Sequence, residues 1–470
     1  MVNEYTGPPP QELQTFLPKD QKNGSSTYKV APAGRDTENG NLEDFDPFKE
    51  RKNAEGATTD MDTLTHLLKA SLGTGILAMP MAFSYAGLVT GILATILTAL
   101  ICTHCAYVLV KCAHTLYYRS RRTAMNFADV AEVAFVNGPT WSRPWATTMK
   151  HLINYGLFIT YFGTCSVYTV IIAENFMQLI GYYFSIEFDV RVYIAVLLVP
   201  LILLSWVPNL KYLAPFSAIA NVFMGIGLLI TFYYLTQDMP PVSDRPLHTS
   251  LLKIPPFFGI VIFAMEAIGV VMPLENSMKT PQHFIGLCGV LNQGMSGVTL
   301  VYILLGFMGF VKYGDAAQGS ITLNLPIEEI PAQVVKILIS LAVFCTFGLQ
   351  FYVCLEIGWD TIKNKFTKRP LLVNYMMRTI LVTAAVVLAV AVPTIGPFVG
   401  ILGAFCFSIL GLLMPVLIEM VTYWDQGFGK FNWIIWKNIF ICAFGLLALW
   451  FGTKSSIEDI IQLYSPTQKS

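Results

Sequence analysis

The chain has 470 residues, of which 54% are hydrophobic and only 13% charged, with 30 basic and 30 acidic side chains in balance. Soluble domains carry about 25% charged residues, so this composition excludes an ordinary water-soluble fold. The absence of net charge gives no reason to expect a nucleic-acid partner.

Residues 1–60 differ from the rest. Pro8, Pro9 and Pro10 are followed by Gly, Ser, Asn, Lys and Glu with few large apolar side chains. Such a segment buries too little surface to offset its ordering entropy, and it reads as a disordered cytosolic tail. It has no apolar core followed by a small-residue cleavage site, so no signal peptide is expected. Within it, Asp46-Pro47-Phe48 resembles the short motifs that bind endocytic adaptors.

From Met61 onward the sequence predicts an all-α polytopic membrane protein with eleven spans, at about 62–83, 87–114, 150–178, 191–207, 212–236, 254–276, 286–311, 332–355, 372–392, 396–421 and 432–453. Each run approaches or exceeds the ~20 apolar residues that cross ~30 Å of hydrocarbon, which makes lipid the surrounding partner. The alternation of a membrane β-barrel is missing. With the tail in the cytosol, the inner loops carry about three times as many Lys and Arg as the outer ones, which hold only Arg191, Arg245, Lys253 and Lys312. An odd number of spans then leaves residues 454–470 as a short outer or lumenal tail.

The nine cysteines fall in or beside predicted spans, so no structural disulfide is expected. No metal-ligand spacing and no phosphate-binding loop occurs, and neither a cofactor nor enzymatic chemistry is indicated.

Two spans are interrupted. Span 1 carries Gly73, Thr74, Gly75 and Pro80 at mid-membrane, and span 6 carries Glu266, Gly269, Pro273 and Glu275. Glycine costs a helix about 1 kcal/mol and proline about 3. Either break alone is explained equally well by close helix packing or a kink. Five spans apart, however, they have opposite senses in the membrane, as the broken helices of inverted repeats do.

Unwinding exposes backbone N–H groups at the positive end of a half-helix. The amides of Gly73, Thr74 and Gly75 are therefore expected to hold a substrate carboxylate, the freed carbonyls its ammonium, and Gly269 to leave room for its side chain. An amino acid fits this description. Glu266 is expected in the same substrate site or as a proton carrier, its alternative being a packed, protonated residue. His66, seven residues before Gly73, can titrate near neutral pH, its alternative being a hydrated residue at the helix end.

The run Leu64-Thr-His-Leu-Leu-Lys-Ala-Ser-Leu-Gly-Thr-Gly-Ile-Leu-Ala-Met-Pro80 resembles the first span of the proton-assisted amino acid transporters of the amino acid/auxin permease group. Phe263-Ala-Met-Glu-Ala-Ile-Gly-Val-Val-Met-Pro-Leu-Glu-Asn276 resembles their sixth. The resemblance runs from about Asp62 to the last span. It implies the fold of the bacterial leucine transporter, with residues 61–236 and 254–425 as inverted five-span repeats and 432–453 as an eleventh span. It further implies proton-coupled movement of small neutral amino acids across the plasma membrane or out of late endosomes and lysosomes, with a role in growth signalling. His66 then falls on the family's proton-coupling histidine. Two other readings stay open: an amino acid sensor with little net flux, and sodium coupling, for which Ser340 and Thr346 in span 8 offer oxygens.

Overall fold

A computed structural model describes residues 45–49, 51, 57–185, 188–207, 210–265, 267–363 and 369–464. Most of the 1–60 tail, and Glu266, lie outside the described residues. Every predicted span is helical. Among the described residues nine helices are long and apolar enough to cross a membrane. The bent pair Asp60–Ser71 and Thr74–Ala86 adds a further span, and a shorter apolar helix covers Val190–Ser205. Spans are numbered below as in the sequence. The end of the bundle at which span 1 begins is the inner end.

Long apolar helices form here because hydrocarbon offers backbone groups no partner, so each span must close its own hydrogen bonds. Span 8 (Ile330–Ile362) is the central post, packed along span 3 (Ala146–Phe184) and span 5 (Leu210–Thr236). Span 10 winds more widely over Leu402–Leu413. There it approaches the outer half of span 6 backbone to backbone: a Cβ on Gly403 would lie 1.8 Å from the Gly259 carbonyl oxygen. That contact anchors one of the two interrupted spans.

Three features were not read from the sequence. The inner loop after span 2 (Leu88–Ser120) contains a helix, Phe127–Asn137, whose apolar face packs on span 3. Asn126 caps it by accepting from the Asp129 amide at 2.8 Å, and Lys150 pairs with Asp129 at 3.0 Å and Glu132 at 2.7 Å. At the outer end, Lys336 of span 8 is fully buried and donates to Gln178 Oε1 at 2.7 Å and to the Thr322 carbonyl, pinning the loop helix Ile321–Asn324 between spans 3 and 8. The third lies in the tail. Pro47 and Phe48 are buried, and Phe48 packs on the rings of His114, Tyr117 and Tyr118 with centroids 5.1, 6.2 and 5.9 Å away. Of the Asp46-Pro47-Phe48 motif, Pro47 and Phe48 are thus seated in the protein while Asp46 stays exposed. Beyond the predicted end of span 11 the chain continues as helix Thr453–Tyr464.

Glu419 of span 10 is buried and meets Lys437 of span 11 at 2.7 Å. Removing one member of such a pair leaves a buried charge alone and costs about 3–5 kcal/mol. Glu419→Gln should therefore lower the melting temperature in detergent markedly, and adding Lys437→Met should recover most of the loss. Unchanged melting of the single variant would show that the pair contributes nothing.

Candidate substrate site at the two helix breaks

Helix Asp60–Ser71 begins on a capping box, in which Thr59 and Asp62 satisfy each other's backbone amides. It stops where glycine makes stopping cheap: Gly73 is extended at φ −85°, ψ −160°. The chain restarts as a tight turn, Thr74–Ala78, and then as helix Met79–Ala86. Pro80 sits in the first turn of that second helix, where a missing N–H is harmless. The two parts are bent by 44°.

In span 6, helix Pro255–Met265 ends, and Ile268–Ser277 begins after Ala267 at φ −120°, ψ 5°. Pro273 lies inside this second helix, so the Gly269 carbonyl loses its usual donor four residues on. Neither restarting half-helix has a side-chain cap. Both present first-turn amides with the positive end of the helix dipole behind them.

The two breaks meet. A Cβ added to Gly75 would lie 2.6 Å from the Ala264 Cα, so the broken backbones touch and nothing larger than glycine fits. Tyr302 of span 7 (Val290–Tyr313) closes the junction: its hydroxyl is hydrogen-bonded to the Ser71 carbonyl and, at 3.1 Å, to the Ala264 carbonyl. One fully buried side chain thus serves the ends of both first half-helices. In span 3, the Tyr168 hydroxyl accepts from Gln350 Nε2 of span 8 at 3.4 Å.

The expected site residues fare differently. Thr74 and Gly75 are buried at the junction, and Gly73 stands beside it in open space, its nearest neighbour for a Cβ being the Ala70 carbonyl oxygen at 3.8 Å. Gly269 is close, but the room it leaves is taken: a Cβ there would lie 2.1 Å from the Tyr161 hydroxyl. In this structure its smallness admits the Tyr161 hydroxyl. Glu266 falls outside the described residues. His66 is exposed on the inner half of span 1, two turns below the junction, and is not among the groups that meet there. Thr346 donates to the Ala342 carbonyl of its own helix at 2.8 Å, and Ser340 is buried without a hydrogen-bond partner among the described residues.

Tyr161, Tyr168 and Tyr302 were missed by sequence reasoning. Each is one tyrosine in an apolar helix, with no local signal to separate it from a membrane-packing residue; a polar handle at mid-span was the only hint.

Residues 56–458 match the family model described as transmembrane amino acid transporter protein. The chain belongs to the transmembrane amino acid transporter family. It is 64% identical over 459 residues to the Drosophila melanogaster proton-coupled amino acid transporter-like protein pathetic, covering 97% of this chain and 96% of that one. It is also 23% identical over 412 residues to the Caenorhabditis elegans probable amino acid transporter skat-1, covering 85% and 89%. Membership of an amino acid transporter family accords with a junction rich in backbone donors and acceptors, since these are the groups an amino acid's two charged ends require.

Gly75→Ala should abolish substrate binding while Gly73→Ala, which has space, retains it. Tyr302→Phe leaves two buried carbonyls without their donor, at about 1–3 kcal/mol, and should weaken binding with normal membrane delivery. Binding by the purified variants checks all three; equal affinity of the Gly75 variant and parent would remove the junction from the site.

Proposed function

We propose that this protein is a secondary active transporter that moves small neutral amino acids by proton symport, in the plasma membrane or a late endosomal or lysosomal membrane, with its N-terminus in the cytosol. The observation that carries the reading is the junction of the two breaks, where Gly75 abuts Ala264 and one tyrosine hydroxyl serves both helix ends. An α-carboxylate is drawn to the uncapped amides after residues 73 and 267, and an α-ammonium to the carbonyls that end the first half-helices. The enclosed, largely apolar surroundings favour a small uncharged side chain.

Proton coupling is supported by the 64%-identical relative, which is named a proton-coupled amino acid transporter-like protein. It is also supported by the resemblance, in which His66 falls on the family's proton-coupling histidine. His66 lies two turns from the junction, so any coupling it provides acts through movement of the half-helix and not through contact with the substrate.

Uptake into liposomes under an imposed pH gradient tests this. Uptake of a small neutral amino acid should rise as the outside is acidified from about pH 7.5 to 5.5, the range over which histidine titrates, and should be accompanied by inward current. His66→Ala should remove the gradient-driven component while exchange of labelled for unlabelled substrate survives. Loss of both would make His66 structural. Uptake that ignores pH and collapses on sodium replacement would transfer the coupling to sodium, and binding without flux would identify a sensor.

A further inference from the structure

The strongest unassigned cluster lies at the inner end, away from the junction. Glu275, in the last turn of span 6, is fully buried, yet four groups from three places in the chain converge on it or its neighbour. Arg51 from the tail reaches its Oε1 at 2.9 Å, His114 Nε2 of span 2 meets the same oxygen at 2.9 Å, and the Tyr117 hydroxyl donates to Oε2 at 2.8 Å. Asn276 donates to the Met125 carbonyl at 2.8 Å. Arg51 is itself only 4% exposed, lies 4.9 Å over the Tyr117 ring, and donates to the Thr123 carbonyl in the loop that leads to helix Phe127–Asn137. Phe48 fills the space beside His114 and Tyr117. Further along, Thr58 pairs with the chain just past span 6, its amide donating to the Ser277 carbonyl at 2.8 Å and its carbonyl accepting from the Lys279 amide at 3.0 Å.

We propose that the groove between the inner end of span 6, span 2 and loop 121–125 is a peptide seat, and that residues 45–49 and Arg51 are its displaceable occupant, restraining the inner half-helix of span 6. A buried arginine and aromatic ring, held by a carboxylate, a tyrosine and backbone carbonyls, form a recognition pair of the kind that anchors peptides at interfaces. The restraint follows from what is joined: Arg51 ties Ile268–Ser277, which carries one side of the substrate junction, to the loop whose helix packs on span 3 and span 10. Movement of the half-helix away from that loop separates Arg51 from Glu275 or Thr123. With the tail seated, that movement is opposed; with it displaced, the remaining contacts at the seat are those of His114, Tyr117 and Asn276. The regulatory consequence rests on the transport reading above, whereas the seat itself does not.

Hydrogen exchange of the full-length protein in lipid nanodiscs tests the seat without any substrate. In Arg51→Ala and, independently, in Phe48→Ala, which leaves the ion pair in place, amides of residues 268–279 should exchange roughly tenfold faster, the change expected on losing one charge-assisted or aromatic anchor. Arg51→Ala combined with Glu275→Gln should exceed the larger single effect by little, since the Arg51–Glu275 contact is already lost in either single variant. In proteoliposomes the same tail variants should accelerate substrate exchange severalfold. Unchanged protection in both tail variants, or additive effects in the double variant, overturns the seat. Faster amide exchange with unaltered or slower transport overturns the restraint.

Discussion

A helix interrupted inside hydrocarbon leaves backbone amides and carbonyls with no water to turn to, and each uncompensated group costs several kcal/mol. This chain interrupts two spans and brings the interruptions into contact, so that one protein hydroxyl, that of Tyr302, serves both. The surrounding architecture follows from that need. Span 7 must run beside both breaks, span 10 must hold the outer half of span 6 close enough for carbonyl contact at Gly403, and Gly75 can carry no side chain.

The same economy governs the inner end. Glu275 is a carboxylate with no exposure, acceptable only because Arg51, His114 and Tyr117 surround it. The counter-charge comes not from a neighbouring span but from the segment preceding span 1. The chain before the first membrane helix therefore belongs to the folded unit at least at Phe48, Arg51 and Thr58.

How far these features could be read in advance depends on the range of the signal. Spans are written in continuous apolar runs, and the breaks in Gly73, Gly75 and Pro80, because helix propensity is local. Helix Phe127–Asn137 was passed over because hydropathy windows favour long runs and it is short. The Tyr161 contact at Gly269, near the second break, could not be read locally, since Tyr161 lies more than a hundred residues earlier. The role of Arg51 was unreadable for the same cause: composition marked the tail as unable to fold alone, and Glu275, 224 residues on, supplies what it lacks.

Tyr302 has one hydroxyl proton and faces two carbonyl oxygens. At any instant one of those oxygens goes without that donor. The Tyr302 hydroxyl alone therefore cannot donate to both oxygens at once. A primary ammonium brings three donors, an N-acylated amine one and a quaternary amine none. On the proposed reading, a substrate ammonium seated here would supply the donor that the single hydroxyl lacks, and no acidic side chain would be needed to select it.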